Sequence, residues 1–529
     1  MASAQNRGSP LSNTSTAYQF GCHELSFSSA ETESSDNALP LRVDYRLPNG
    51  AIRSVHAFAR KDGSASARSY IDEIGTWRWE CKNKEGRCIR VGAFNAVEST
   101  LPGKLRACAN DARQFQYHST LPYLHFGYVC SLLLSEEATQ WKSAIDQADQ
   151  AGFTKIRVLL GNTDGNAEAL FARERKRLNL SFWDEVDQRL TYALSRYPHI
   201  QFQIIPFAND FEEILRYGEG DPAAYLALRY AQERFSALPN IHWALTDGLL
   251  DTSEEEGSAK NTKELIASLK RMGSDMAEAD PWGAMIGNIA NRFSLAPLTD
   301  SPWHNYISIS DIGQVTGKAI LSHRVLATKP VALDHDRSEW ENRPNYPRYY
   351  FRRLFWGALL SGGHPTYEGL NTSVIDDRPS NGVVGYYDAC NSGRLRMGAH
   401  DLLHIRNFFQ ETGICLENWI PDDAIGGGNP LLVKTAKSSS ETECIAYIAN
   451  PEVHGGHSPD RFDGTHTDQL SNVSETFTTF TLELPFSSGR AKWFCPQTGE
   501  WKGDAEITRN STTLLTPEPG DWIIWAKRD

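Results

Sequence analysis

Residues 135–161 read SEEATQWKSAIDQADQAGFTKIRVLLG. The first part predicts a helix over 135–152. Ser135 stands as N-cap, Glu136 and Glu137 fall in the first turn where acids suit the helix dipole, and Gly152 lies past the end. FTKIRVLLG then switches to an apolar run of strand length. An apolar stretch, YLHFGYVCSLLL (123–134), precedes the helix. The same rhythm continues downstream. FWDEVDQRLTYALSRYP (182–198) reads as an amphipathic helix and IQFQIIPF (200–207) as a strand. DPAAYLALRYAQERFSAL (221–238) reads as a helix and NIHWALTDG (240–248) as a strand.

Strands alternating with helices over this length indicate a parallel sheet with helical crossovers. Strand candidates fall near 124–130, 154–160, 201–207, 241–246, 283–288, 306–310, 330–335 and 359–366. Eight is the number that closes a (β/α)8 TIM barrel. A doubly wound sheet is the competing architecture, but no Gly-rich phosphate loop follows the early strands. On either side the pattern is β. LRVDYRLP, SVHAFARK, SARSYID and GTWRWECK alternate with Gly, Asn and Asp turns. ECIAYIAN, FTTFTLELP, AKWFCP, STTLLTP and GDWIIWAK do so near the end. The expected organisation is an N-terminal β-sandwich over 17–118, a (β/α)8 barrel catalytic domain over 119–415 and a C-terminal β-sandwich over 425–529.

Composition narrows the function. The chain has 529 residues and a formal net charge of −13. Nucleic acid and anionic membrane surfaces, which need a basic patch, are therefore poor partners. No apolar run reaches the length of a membrane span, and the polar start MASAQNRGSPLSNTSTAYQF has no signal-peptide h-region. Secreted, periplasmic and cytoplasmic locations all stay open. Aromatic residues reach 11%, with 14 Trp, which suits stacking on the apolar face of a pyranose as well as core packing. The nine cysteines form no Cys-x-x-Cys pair, so neither a metal nor a cofactor is implied. Cys81 and Cys88 flank a turn and could bridge a hairpin or stay as free thiols.

Two strand ends carry the chemistry. NIHWALTDG ends in Asp247, and KPVALDHDRSEWE (329–341) drives a buried-looking run into Asp334, His335 and Asp336. In a barrel these tips converge on one face. Two carboxyl groups facing each other serve glycoside hydrolysis, one as proton donor and the other as nucleophile or base. A hydrophobic wall such as Trp243 or Trp340 could keep one acid protonated. Strand alternation places Asp334 and Asp336 on one face and His335 on the other. The bland readings are a loop cap for Asp247, an Asp336–Arg337 ion pair, and an orienting role for His335. Arg352 and Arg353 read as braces of the barrel.

The ordered segments GTWRW, AGFTKIRV, PNIHWALTDG, KPVALDHDRSEWE, YYFRRLFWGALLSGGHPTY and GDWIIW resemble the apiosidase-like glycoside hydrolases. The likeness runs through nearly the whole chain after residue 40. It implies a β-sandwich, a (β/α)8 barrel and a C-terminal β domain, with an acid/base at Asp247 and a strand-seven nucleophile. Relatives place a Glu there, in a KPV-x-x-x-E pattern. Here His335 occupies the ungapped position, while Asp336 fits with one inserted residue and Asp334 is the reserve. Glu368 stands where relatives tend to have Gly. Substrate contacts are expected from His335, Tyr367, Glu368, Asn288, Trp340 and Gln314, and retention of configuration is favoured. Two alternatives accompany this reading. One is a polysaccharide lyase drawing on Arg157, His335 and Tyr367. The other is a carbohydrate-binding protein with a decayed barrel.

Overall fold

The computed structural model describes residues 8–32, 38–135, 140–161, 167–208, 210–247, 258–290, 298–310, 315–336, 348–368, 398–449 and 477–529. Its centre is a closed parallel barrel of β1 (Gly127–Val129), β2 (Lys155–Leu159), β3 (Gln201–Ile205), β4 (Ile241–Ala244), β5 (Ile286–Ala290), β6 (Tyr306–Ser310), β7 (Val331–His335) and β8 (His364–Tyr367). Closure is made where Gly127 and Tyr128 of β1 pair with Thr366 and Tyr367 of β8. Around it lie α1 (Trp141–Gln150), α2 (Leu180–Arg196), α3 (Phe211–Glu219), α4 (Pro222–Phe235), α5 (Ser258–Ala279), α6 (Lys318–Leu326), α7 (Arg348–Leu360) and α8 (Gly398–Thr412).

Local chemistry accounts for most of these boundaries. Asn179 accepts from the Phe182 N–H (3.4 Å) to start α2, and Asp221 accepts from Ala224 (2.8 Å) to start α4, with Pro222 at its first position. Gly152, at φ 86°, ends α1 in the left-handed conformation that suits glycine. The start of α1 departs from expectation. It begins at Trp141 behind Gln140, which makes no side-chain cap bond, whereas the buried Ser135 offers its carbonyl to Arg189 of α2 (2.5 Å). The eighth strand is also later than expected. Residues 359–360 belong to α7, whose Trp356 is buried against Phe408 and Tyr447, so the apolar GALL run is a helix covered on two sides.

Two further groups of sheets flank the barrel. The N-terminal sheet has eight strands, and Ile52–Ala59 pairs first with Leu41–Arg46 and then, at Phe58, with Ala65–Tyr70. The sheet turns at that point, and His23 comes to stack on Phe94, 3.8 Å between ring centres. Trp77 and Trp79 both point inward, as their alternation predicts. Arg68 docks this sheet on the barrel. Buried, it donates to Glu24 (2.7 Å), to Asp187 of α2 (2.6 and 3.0 Å) and to the Arg234 carbonyl (2.8 Å). The C-terminal unit is a six-stranded antiparallel sheet over 419–528 with a two-stranded companion. Arg352 of α7 ties it down, forming a buried triad with Asp401 of α8 and with Asp521 (3.0 and 2.7 Å). Cys81 and Cys88 are free thiols, one buried and one exposed. No helix among the described residues is long and apolar enough to cross a membrane.

Candidate active site

The site grows out of β2. In TKIRV, Lys155 and Arg157 are two apart, so they share the face that looks into the barrel. Both are buried. Lys155 forms an ion pair with Asp334 of β7. Asp334 is fully buried and also accepts from Gln203 Nε2 of β3 (2.8 Å) and Thr366 Oγ1 of β8 (2.9 Å). Burial pushes the Asp334 carboxyl upward, but the Lys155 and Arg157 cations outweigh it and hold the group well below the usual carboxylate range. Gln203 donates in addition to the Tyr306 hydroxyl (2.8 Å), which donates to the Trp243 carbonyl (2.7 Å). Arg157 reaches the mouth above this layer. It donates to the Asp334 carbonyl (2.9 Å) and forms an ion pair with Asp247, which follows β4.

The tip of β7 differs from expectation because the strand carries a bulge. Leu333 faces Ile309 of β6, yet the next partner of Ser310 is His335, so Asp334 is an extra residue in the ladder. Simple alternation therefore fails. Asp334 points into the barrel to meet Lys155, and His335 meets Glu368 at the end of β8, Nδ1 to Oε2 3.1 Å. Asp336 instead accepts from the Tyr350 hydroxyl of α7, and its backbone N–H donates to Glu368 Oε2 (3.1 Å). Asp334 and Asp336 do not share a face, and Asp334 is a core carboxylate rather than a mouth residue.

Other expected contacts move as well. Asn288 is fully buried, accepting from Thr246 Oγ1 (3.0 Å) and donating to the Ile289 carbonyl (2.9 Å). It braces the residue before Asp247. Tyr367 is buried between Phe153 (6.0 Å, nearly parallel) and Phe351 (5.0 Å, edge on), on the helix side of β8. Strand alternation explains this: Thr366 and Glu368 take the inner face and Tyr367 the outer. Trp243 is buried in the core. Trp340, Gln314 and Arg337 lie outside the described residues. Asp247, His335 and Glu368 remain at the mouth, with side chains 21%, 38% and 18% exposed. Lys155 and Gln203 carry no motif in the sequence, and Arg157 enters there only as a residue for lyase chemistry. Two cations on one face of an apolar strand were the available signal. Among the described residues no cluster of His, Cys, Asp and Glu has a metal-binding arrangement.

The molecule is thus a closed (β/α)8 barrel with flanking β sheets and a carboxylate-bearing mouth. No protein-family model matches the chain, and no curated protein matches it. Solved structures do resemble it. A Bacteroides vulgatus protein provisionally called a glycoside hydrolase aligns at TM-score 0.68 and 13% identity, over 97% of this chain and 99% of that one. A family 5 glycoside hydrolase from the same organism aligns at 0.58 and 14%, over 81% and 95%. A third, named only as a glycoside hydrolase, aligns at 0.55 and 13%, over 81% and 98%. At such identities the likeness establishes the shared fold.

Proposed function

We propose that this protein is a glycoside hydrolase that cleaves a glycosidic bond in an oligo- or polysaccharide at the mouth of its barrel, with Asp247 as the general acid. The observation that carries the reading is the convergence of Asp247, from the end of β4, with the His335–Glu368 pair from β7 and β8. Arg157 spans the space between them. Protonating the leaving oxygen and attacking the anomeric carbon need groups on opposed strands, and a barrel mouth supplies them. The similar structures called glycoside hydrolases agree with this assignment. The apiosidase-like group is the finer placement we favour, with the flanking sheets read as β-sandwich domains over 17–118 and 425–529.

Retention through Asp336 would require that carboxylate to leave the Tyr350 hydroxyl and turn toward the mouth. Asp334 is unsuited to attack, since Lys155, Gln203 and Thr366 occupy it. The lyase reading loses its Tyr, because Tyr367 is buried on the helix side. The test is Asp247→Asn. Loss of general acid catalysis should lower kcat by about 10²–10⁴-fold on a natural glycoside, and by much less on an aryl glycoside with a good leaving group. Equal activity of variant and parent on the natural substrate refutes the assignment.

A further inference from the structure

We propose that a cavity at the foot of the barrel, at the end away from Asp247, is a second binding site that takes one or two units of a neutral sugar. That the ligand is a sugar rests on the glycosidase reading above; the cavity itself does not.

The cavity has a volume of about 600 Å³, within the range of about 300–1,000 Å³ usual for small-molecule sites. Met285, Asn305 and Lys329 line it, and they stand just ahead of β5, β6 and β7. Asp247 lies at the other end, past the tip of β4. From Tyr306 to Ser310, β6 advances about 3.3 Å per residue, so its length alone puts about 13 Å between the cavity and the mouth. A group bound below therefore occupies none of the space above.

The walls are built before any ligand arrives. Asp280 accepts from the Trp282 N–H (2.8 Å) and the Ala284 N–H (2.7 Å). Arg106, on the strand Leu105–Ala107, donates to the carbonyls of Trp282 (3.2 Å) and Gly283, so the 280–284 loop is held from both sides. Trp303 is buried against Gly273 of α5, where a Cβ would collide with the indole. Glycine is what lets that ring lie in the wall.

The groups left unspent point to the ligand. The Thr299 carbonyl takes one of the three Lys329 donors (2.5 Å), and the other two have no hydrogen-bond partner among the described residues. The exposed Asp300 carboxylate has none there either, although its charge draws on Lys329. Cation and carboxylate thus share one wall, and Arg106 with Asp280 repeats the balance. His304, which burial brings down to about 3, adds no charge. An anion would meet Asp300 and Asp280, and a cation would meet Lys329 and Arg106, so a charged ligand gains little. A hydroxyl both donates and accepts, and a sugar offers several of them to Asp300 and Lys329 at once. Trp303 and Met285 supply apolar wall for the C–H face of a pyranose. A sugar held here tethers the enzyme to one glycan chain while the mouth works on another, which raises the effective concentration of cleavable bonds.

Ala277 of α5 and Ala107 line the cavity from different elements, and both are exposed, so Ala277→Trp and Ala107→Trp are independent plugs. Calorimetric titration of the full chain with neutral mono- and disaccharides, glucuronate and glucosamine compares parent and plugged forms, with urea midpoints to show that each plugged form is folded. Each plug should weaken binding of at least one neutral sugar by about tenfold or more, and kcat on an aryl glycoside should stay at the parent's value. Three results overturn the second site. They are neutral-sugar binding equal in the parent and both plugged forms, plug-sensitive binding of glucuronate or glucosamine that is tighter than that of every neutral sugar, and a fall in kcat that matches the fall in binding in a plugged form as stable as the parent. Any of these, in a parent that turns over glycosides, leaves the glycosidase reading intact. Plug-sensitive binding of a neutral sugar by a chain that hydrolyses no glycoside overturns that reading and leaves the site standing.

Discussion

Mild acid should unfold this protein, because it buries histidines in their neutral form. His242 and His364 lie in the floor of the barrel, with His364 4.6 Å from the Phe115 ring and His242 5.7 Å from Tyr306. His304 is buried beside Trp303. Burial brings each of the three down to about 3. In the unfolded chain each returns to about 6.5. Below that value the unfolded state binds protons that the folded state refuses, so stability falls as pH drops from about 6.5 toward 3. Between pH 7 and pH 5 the loss is about 1.9 kcal/mol per histidine, or about 6 kcal/mol for three. That is comparable with the whole stability of a typical domain, about 5–15 kcal/mol. His125, also lowered by burial, adds to the trend. His335 acts with the opposite sign, since its raised pKa stabilises the fold as pH falls, but one residue does not offset three. Urea titrations at pH 7, 6 and 5 should show the midpoint falling steeply. His242→Gln, after its own cost at pH 7, should reduce the slope by roughly 1.4 kcal/mol per pH unit. A midpoint constant from pH 7 to pH 5 would refute the reasoning, as would histidine proton resonances that titrate near 6.5 at these sites.

Lys155→Met should destabilise the barrel by about 3–5 kcal/mol, because it strands a fully buried carboxylate, and Lys155→Met/Asp334→Leu should recover much of the loss. Urea midpoints of the two variants check this, and equal midpoints would contradict it. Arg352→Met leaves Asp401 and Asp521 buried without their cation, at a similar cost of about 3–5 kcal/mol. Hydrogen exchange should then rise first in the C-terminal sheet, and uniform exchange over the whole chain would count against Arg352 as the tie.

The barrel was legible because helical and strand periods alternate over a long span. The eight candidate segments all contain or overlap a barrel strand. What failed was sidedness and boundary. GALLSGG looked like a strand because its apolar run is unbroken, but α7 is covered on both sides and can be apolar all round. Tyr367 and Asn288 are polar groups near strand ends, and only register shows that the first lies on the outer face and the second is spent on Thr246. The Asp334 bulge leaves no mark in the sequence beyond one more residue than the family pattern holds. Without it, period-two counting assigns His335 to the wrong face. The N-terminal sheet was easier, since Trp77 and Trp79 alternate cleanly with Arg78 and Glu80.

The polar interior accounts for how the mouth is held in place. An apolar layer at Lys155, Asp334 and Gln203 could be at least as stable, since desolvating an ion pair costs about what the pair returns. The ionised layer does something an apolar one would not. Asp334 neutralises Lys155, while its backbone carbonyl takes one Arg157 donor and leaves another for Asp247. Tyr306, Gln203, Asp334 and Thr366 link β6, β3, β7 and β8 through side chains alone. Arg157 is thereby held by buried groups, and Asp247 is held through it. A general acid must keep its geometry to a fraction of an ångström for proton transfer to be efficient. The ionised layer at Lys155 and Asp334 therefore supports the proposed general acid through Arg157, and a change in that layer should register in turnover as well as in stability.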